Sequence, residues 1–441
     1  MRKLQKSKYS FFVEKENGNY IAYSSLSGSV VHLHEEKYIE MLKSVLNRDS
    51  FEYEDNDFFN ILTDNQIFVD ENTDESLLVR HLYEEYINRS DKLEIMLIVT
   101  RQCNFRCVYC GQPHVDEKMD SSDYQAILMF IENKLLTNKF NSVHVTFFGG
   151  EPLIEGEKIC DFLKKLKSLL AKLSTKRKEI TFTAGMSTNG YLLTPKLFDK
   201  LIRLNCDSYQ ISIDGMSYTH DKMRPLASGK PSWERIIDNL KYMTSTNKPF
   251  RVTLRTNYNI DVAESLVEFY EFVGKNLKDD RINIYYETIK DHGNEQTPET
   301  VCGMEELVLD IDIAQLIKEN GLTCSNTTTR LLPCSRICYA SKPNHFIFDE
   351  KKQILKCSFA LDSPENVIGQ LKEDGTYSFN SNNYYNWVYN DYLAFEKCRE
   401  CKALPLCFGK RCPKSIIQLG HAFCNTDIIH AEIEGFLNNF C

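Results

Sequence analysis

The chain has 441 residues, of which 42% are apolar and 26% charged, with a formal net charge of −9 and 16 cysteines. That length allows two or three domains with ordinary cores, and an acidic balance without a long basic run argues against a nucleic-acid surface. No stretch approaches the roughly 18 consecutive apolar residues of a membrane span, and the start MRKLQKSKYSFFVEKENGNY lacks the apolar centre of a signal peptide, so a cytoplasmic protein with no membrane partner is expected.

In chain order, Tyr9–Val13 and Tyr20–Tyr23 alternate around Asn17-Gly18, a hairpin signal. The stretches 34–46, 57–64 and 77–88 then read as short helices, giving residues 1–90 the look of a small strand-plus-helix module. From about 93 to 290 apolar, β-rich runs alternate with longer helical patterns. Strands are predicted over 93–100, 143–148, 180–186, 208–213, 250–256 and 281–287, with helices such as 121–136, 156–173 and 233–244 between them. Such alternation implies βαβ units and a parallel sheet. Six units make a partial (β/α)6 TIM barrel of the α/β class, whose functional residues belong on loops at the C-terminal strand ends.

Two groups of cysteines stand out in this frame. Directly after the first strand, Cys103, Cys107 and Cys110 have the spacing C-x3-C-x2-C, which chance would produce about 0.02 times in a chain this long and this cysteine-rich. Three thiolates leave one iron of a [4Fe–4S] cube open, because the cube needs four ligands. Structural zinc short of a ligand, or buried thiols, are the bland alternatives. The second group is Cys398-x2-Cys401-x5-Cys407-x4-Cys412, then Cys424, with Cys334, Cys338 and Cys357 upstream. In a reducing compartment this many cysteines point to metal rather than disulfides.

Other residues follow the later strands. Gly149-Gly150-Glu151-Pro152 ends the second; its glycines permit close backbone approach and its carboxylate can accept from an ammonium. Ser187-Thr188-Asn189-Gly190 follows the third, Ser212-Ile213-Asp214-Gly215 the fourth, with His220 to Arg224 just beyond, and Arg255-Thr256-Asn257 closes the fifth.

The cysteine run with Tyr109 just before its third thiol resembles the cluster motif of radical S-adenosylmethionine (SAM) enzymes. The resemblance implies SAM bound at the open iron and cleaved by one electron to methionine and a 5′-deoxyadenosyl radical, which abstracts hydrogen from substrate. It implies cofactor contacts at Tyr109, Gly149, Gly150, Glu151, Ser187, Asn189, Asp214 and Arg224. The C-terminal cysteines resemble the SPASM extension of radical SAM enzymes that modify peptides, which holds two auxiliary [4Fe–4S] clusters. Carried over, Cys398, Cys401, Cys407 and Cys424 hold the outer one, and Cys334, Cys338, Cys357 and Cys412 the inner one. Here the Cys407–Cys412 gap is four residues where the family usually has three, and Cys334 lies unusually near Cys338. An inner cluster with three protein ligands therefore stays open. Cys160, Cys206, Cys302, Cys324 and Cys441 have no assigned partner.

Residues 1–90 resemble the winged-helix-like α+β module with which many such enzymes grip a precursor peptide. The expected organisation is thus 1–90 for peptide recognition, 91–320 for the partial barrel and 321–441 for a cysteine-rich iron–sulfur domain. The expected function is oxidative modification of a ribosomally made precursor peptide, recognised through its leader, by thioether or carbon–carbon cross-linking, with three [4Fe–4S] clusters, SAM and an electron donor such as flavodoxin or ferredoxin. The alternatives are an anaerobic sulfatase-maturing enzyme, which forms formylglycine, and a non-catalytic metal-cluster scaffold that binds peptide. No general base is assigned.

Overall fold

The computed structural model describes residues 2–53, 56–88, 91–138, 140–174, 179–289, 309–325, 329–389, 395–420, 424 and 426–438; Cys302 and Cys441 lie outside them. The chain divides into two compact units, one made of Met1–Arg89, Thr327–Pro343 and Tyr385–Cys441, the other of Ser90–Asn326 and Asn344–Tyr384. The stretch 321–441 is thus shared between both.

In the first unit six short strands, β1 (Arg2–Lys6), β2 (Ser10–Glu14), β3 (Tyr20–Ser24), β4 (Val30–Leu33), β5 (Ser50–Tyr53) and β6 (Phe68–Asp70), form two antiparallel sheets ordered β5-β1-β6 and β2-β3-β4. The hairpin expected at Asn17-Gly18 joins β2 to β3, with Gly18 at φ +79°, a conformation glycine adopts at little cost. Strand β3 is buried along its whole length, and the period of two explains how. Tyr20 and Ala22 enter one cluster with Leu4, Leu42, Phe51, Phe59 and Phe68, which the helices Glu36–Val45 and Asp57–Asp64 help to build. Ile21 and Tyr23 enter another with Leu331, Leu406, Phe408 and Ile433. The Tyr23 hydroxyl donates to the Leu331 carbonyl at 2.6 Å. The N-terminal hairpin and the cysteine-rich tail therefore share one core.

In the second unit β7 (Lys92–Thr100), β8 (Ser142–Gly149), β9 (Thr181–Thr188), β10 (Cys206–Ser212), β11 (Arg251–Tyr258) and β12 (Ile282–Thr288) lie side by side in chain order, all parallel. The helices Ser121–Thr137, Gly156–Ser174, Pro195–Arg203, Trp233–Thr244 and Leu266–Asn276 fall in the connections. This is the run of βα units expected of a (β/α)6 partial barrel. Beyond β12 lies β13 (Thr323–Cys324). On the other flank β14 (His345–Phe348) pairs parallel with β7, and β15 (Gln353–Leu355), β16 (Val367–Leu371) and β17 (Tyr377–Phe379) continue antiparallel to complete eleven strands.

Alternation sets the two faces. Along β8, Val143, Val145 and Phe147 are buried while His144, Thr146 and Phe148 are only half-buried. Phe147 packs edge-on against Phe162 of a flanking helix, so the apolar face meets the helices. The opposite face carries polar groups such as Ser187, Gln210, Arg255 and Tyr285. No helix among the described residues is long and apolar enough to cross a membrane.

Candidate active site

The loop after β7 carries Cys103, Cys107 and Cys110, all half-buried. It has little regular structure, and backbone bonds to the segment after the helix Ser217–Met223 hold it in place. Arg106 N–H donates to the Pro225 carbonyl at 2.8 Å, Val108 N–H to Met223 at 3.0 Å, and Ala227 N–H to Asn104 at 2.8 Å. Phe105, 1% exposed, pins the loop, with Tyr191 edge-on at 6.1 Å and the Arg224 guanidinium 5.9 Å over its ring.

Burial pushes the Cys103 thiol up to about 12 and the Cys107 thiol to about 11. Both are neutral unless a positive centre replaces the proton, as a metal cluster does. Among the described residues no three His, Cys, Asp or Glu side chains converge as a single ion requires. A cube is held from its corners, and three thiols on one short loop supply three of its four ligands.

Strand β8 ends against the base of this loop. A Cβ at Gly149, whose φ is +134°, would sit 2.2 Å from the Thr100 carbonyl oxygen, and one at Gly150 would sit 2.2 Å from that of Gln102. Gly150 N–H donates to Thr100 at 2.9 Å and Glu151 N–H to Gln102 at 2.8 Å. The close approach these glycines permit is thus to the chain's own cysteine loop.

Glu151 is fully buried. One carboxylate oxygen accepts from the Thr188 hydroxyl at 2.7 Å and Leu153 N–H at 3.0 Å, and the other from Asn189 N–H at 2.7 Å. Burial pushes its pKa up, and these donors pull it back. Asn189 in turn donates to the Asn104 side chain at 2.8 Å, closing a corner between the ends of β7, β8 and β9. Ser187 lies on the strand itself, accepting from Gln210 at 3.4 Å. Thr188 stood in the sequence only as part of the run after the third strand, and the only signal for Asn104 was a polar residue beside Cys103.

A second polar knot ties the loop to β10 and β11. The Tyr109 hydroxyl donates to Asp214 and accepts from Arg224 Nη1 at 2.5 Å and Asn257 Nδ2 at 3.1 Å. Asn257 N–H donates to Asp214 at 2.9 Å, and Arg255 Nε donates to the Asn257 side chain at 2.8 Å. Burial pushes the fully enclosed Asp214 carboxyl up, with Arg224 pulling it back, and holds His220 far below the usual imidazole value. Neutral His220 therefore accepts, through Nδ1, the Asp214 N–H at 3.2 Å. Among the described residues, three buried nitrogens around this rim have no hydrogen-bond partner: Asn104 Nδ2, Arg224 Nε and His220 Nε2. Orphaned donors of this kind suit a polar ligand that supplies the acceptors.

In the other unit a cavity of about 460 Å³ is lined by Cys398, Cys401, Cys407, Cys412 and Cys424 together with Arg336, Lys397 and Arg411. Burial pushes Cys398 to about 11 and Cys401 to about 12, so the same argument for a positive centre applies. Three backbone bonds lay the segment 334–338 along 405–410: Cys334 N–H to Pro405 at 2.9 Å, Arg336 N–H to Leu406 at 2.9 Å and Cys338 N–H to Lys410 at 3.0 Å. Cys334 adopts φ +62°, rare outside glycine and asparagine. Of the expected inner set, Cys334, Cys338 and Cys412 belong to this unit and Cys357 to the barrel unit. There Cys357 follows β15, its N–H on the Asn366 side chain at 2.8 Å. Cys160 and Cys206 are fully buried in the barrel unit.

The Radical SAM superfamily model matches residues 97–273. An uncharacterized protein of Methanocaldococcus jannaschii, MJ0907, is 30% identical over 179 residues, 40% of this chain and 57% of that protein. The chain spans under two thirds of the first curated relatives it matches, 57% and 58% of their lengths. A cysteine-type anaerobic sulfatase-maturating enzyme of Clostridium novyi is 22% identical over 325 residues, covering 69% of this chain and 83% of that enzyme. Among solved structures, anSMEcpe with bound AdoMet aligns with a TM-score of 0.62 at 16% identity, over 79% of this chain and 93% of that one. Streptococcus suis SuiB bound to precursor peptide SuiA aligns at 0.54 and 16%, over 95% and 97%. Residues 97–273, which carry the three-cysteine loop and the first five of the six parallel strands, thus match the Radical SAM superfamily model, on a fold similar to that of both solved proteins.

Proposed function

We propose that the chain is a radical SAM peptide maturase. The observation that carries this reading is the convergence, on one rim of the sheet, of the cysteine loop, the Glu151–Thr188–Asn189–Asn104 corner and the Tyr109–Asp214–Arg224–Asn257 knot. The family implies SAM and one [4Fe–4S] cluster, which Cys103, Cys107 and Cys110 would hold. When bound, the pair supplies one-electron cleavage of SAM to a 5′-deoxyadenosyl radical. The chain's own part is to position. Tyr109 and Asp214 hold the loop against β10 and β11. The unsatisfied donors on Asn104 and Arg224 suit the SAM carboxylate, because paired N–H groups bind that shape well. Gly149, Gly150, Ser187 and Asn189 stand on the same rim. Glu151 contributes by bracing the corner, since its carboxylate already accepts from three protein donors.

Further reading rests on the SPASM resemblance. Cys398, Cys401, Cys407 and Cys424 would hold one auxiliary [4Fe–4S] cluster, a second being what the same resemblance implies. The N-terminal sheets would grip the leader of a precursor peptide, a reading that the fold likeness to peptide-bound SuiB supports. Flavodoxin or ferredoxin is the class of donor expected.

Incubation with SAM and dithionite tests the central claim. The protein is expected to release 5′-deoxyadenosine, and Cys107→Ala to release none; equal amounts from both would end the enzyme reading. The similarity to the Clostridium novyi enzyme favours one alternative, oxidation of a peptidyl Cys or Ser to formylglycine. Mass spectrometry of a sulfatase-derived peptide after incubation separates the two, because an aldehyde product points to maturation of a sulfatase and a cross-linked precursor peptide does not.

A further inference from the structure

We infer that Arg336 tunes an iron–sulfur cluster in the cavity walled by Cys398, Cys401, Cys407 and Cys424, donating a hydrogen bond to it and raising its reduction potential. The inference rests on the auxiliary-cluster reading above and adds a role for a residue outside the ligand set.

The Arg336 side chain is 6% exposed. Two of its three guanidinium nitrogens are spoken for: Nε donates to the Arg330 carbonyl at 3.1 Å, and Nη1 to Glu432 at 3.1 Å. The third, Nη2, is buried and has no hydrogen-bond partner among the described residues. A charged N–H stripped of water and left bare is unfavourable unless an acceptor meets it. Arg336 lines the cavity together with Cys398, Cys401, Cys407 and Cys424. The acceptors a cluster brings there are sulfurs.

The charge balance points the same way. Glu432 is shared, with Arg330 Nη1 also on it at 3.0 Å, so one carboxylate serves two guanidinium groups and the trio is net positive. Arg411 adds a further cation to the lining. Positive charge and hydrogen bonds to sulfur both favour the more negative, reduced cluster and so raise its potential. The 334–338 backbone fixes the residue in place, since Arg336 N–H is bonded to Leu406 between the flanking bonds of Cys334 and Cys338.

The test is an EPR-monitored redox titration of reconstituted full-length protein carrying Cys103→Ala, Cys107→Ala and Cys110→Ala, which leaves only auxiliary signals. Arg336→Gln is expected to shift one midpoint downward with iron content retained. Arg336→Lys should give a smaller downward shift, because charge stays while the planar fork is lost. Glu432→Gln, which leaves the guanidinium in place and removes its counter-charge, should shift the same midpoint upward. Unchanged midpoints in all three, with iron retained, overturn the role of Arg336. Iron analysis of Cys398→Ala/Cys401→Ala separates the two failures: iron equal to the parent shows that the cavity holds no cluster, and the underlying reading falls with the inference.

Discussion

Glu151 and Asp214 are both fully buried carboxylates at the ends of barrel strands, yet each is occupied by different donors. Glu151 takes a hydroxyl and two backbone N–H groups, so it joins strand ends; Asp214 takes Tyr109 and Asn257 and faces Arg224, so it anchors the cysteine loop. The two glycines before Glu151 act by what they lack. Gly150→Ala places a methyl 2.2 Å from the Gln102 carbonyl oxygen, and overpacking of this kind costs about 1–3 kcal/mol. The variant is expected to unfold at lower temperature and to lose most of the iron held by Cys103, Cys107 and Cys110. Gly18→Ala is the control: Gly18 has a positive φ, which Gly150 does not, but a Cβ there meets nothing within 4 Å, so it should lose about 1 kcal/mol and keep its iron. Equal iron in the two variants would remove the bracing role given to Gly150.

Among elements, the helix Thr426–Asn438 shows how an ion cluster ties remote segments together. Its Glu432 meets Arg330 and Arg336 at 3.0 and 3.1 Å. Burial alone would raise the Glu432 pKa, but Arg336 and then Arg330 outweigh it and hold the carboxyl below the usual range. A carboxyl depressed on folding contributes stability in full above its unfolded pKa of about 4.3, and that contribution is lost as pH falls through the lower folded value. Wild type and Glu432→Gln should therefore differ most in urea midpoint near neutral pH and converge as pH falls through the depressed folded value. A gap that stays constant with pH would show that the pair contributes no linked stability. The helix also brings Ile429 and Ile433 into the core that Tyr23 and Phe408 share, so one element carries both apolar and ionic ties.

At the scale of the whole molecule, the cysteines divide as the chain does. One thiol set sits on the barrel unit's first loop; a second lines a cavity in the unit built from both chain ends. Three [4Fe–4S] clusters imply about 12 iron per chain, the value expected after anaerobic reconstitution. Cys398→Ala/Cys401→Ala should lower it to about 8; about 4 iron with bound zinc in the unmodified protein would replace the auxiliary clusters with structural zinc.

Some of this was decided locally and so could be read from the residues alone. The six barrel strands and the helices 121–136, 156–173 and 233–244 follow from runs of β-branched and apolar residues whose period is set within each segment. The three thiols lie on one short loop, so spacing alone put them together. The flanking strands β1, β5 and β14–β17 escaped notice because runs of three to five residues carry too little pattern. The burial of β3 on both faces depends on two cores contributed by distant segments. Only tertiary structure decided what the side chains do. Tyr109 meets Asp214 across 105 residues, Thr188 meets Glu151 across 37, and Arg336 reaches Glu432 across 96. Sequence chemistry determined which groups seek partners, since buried carboxylates and guanidinium groups cannot stay bare. The packing of remote segments determined which partners they found, and left Arg336 one acceptor short among the described residues, beside a cavity of thiols.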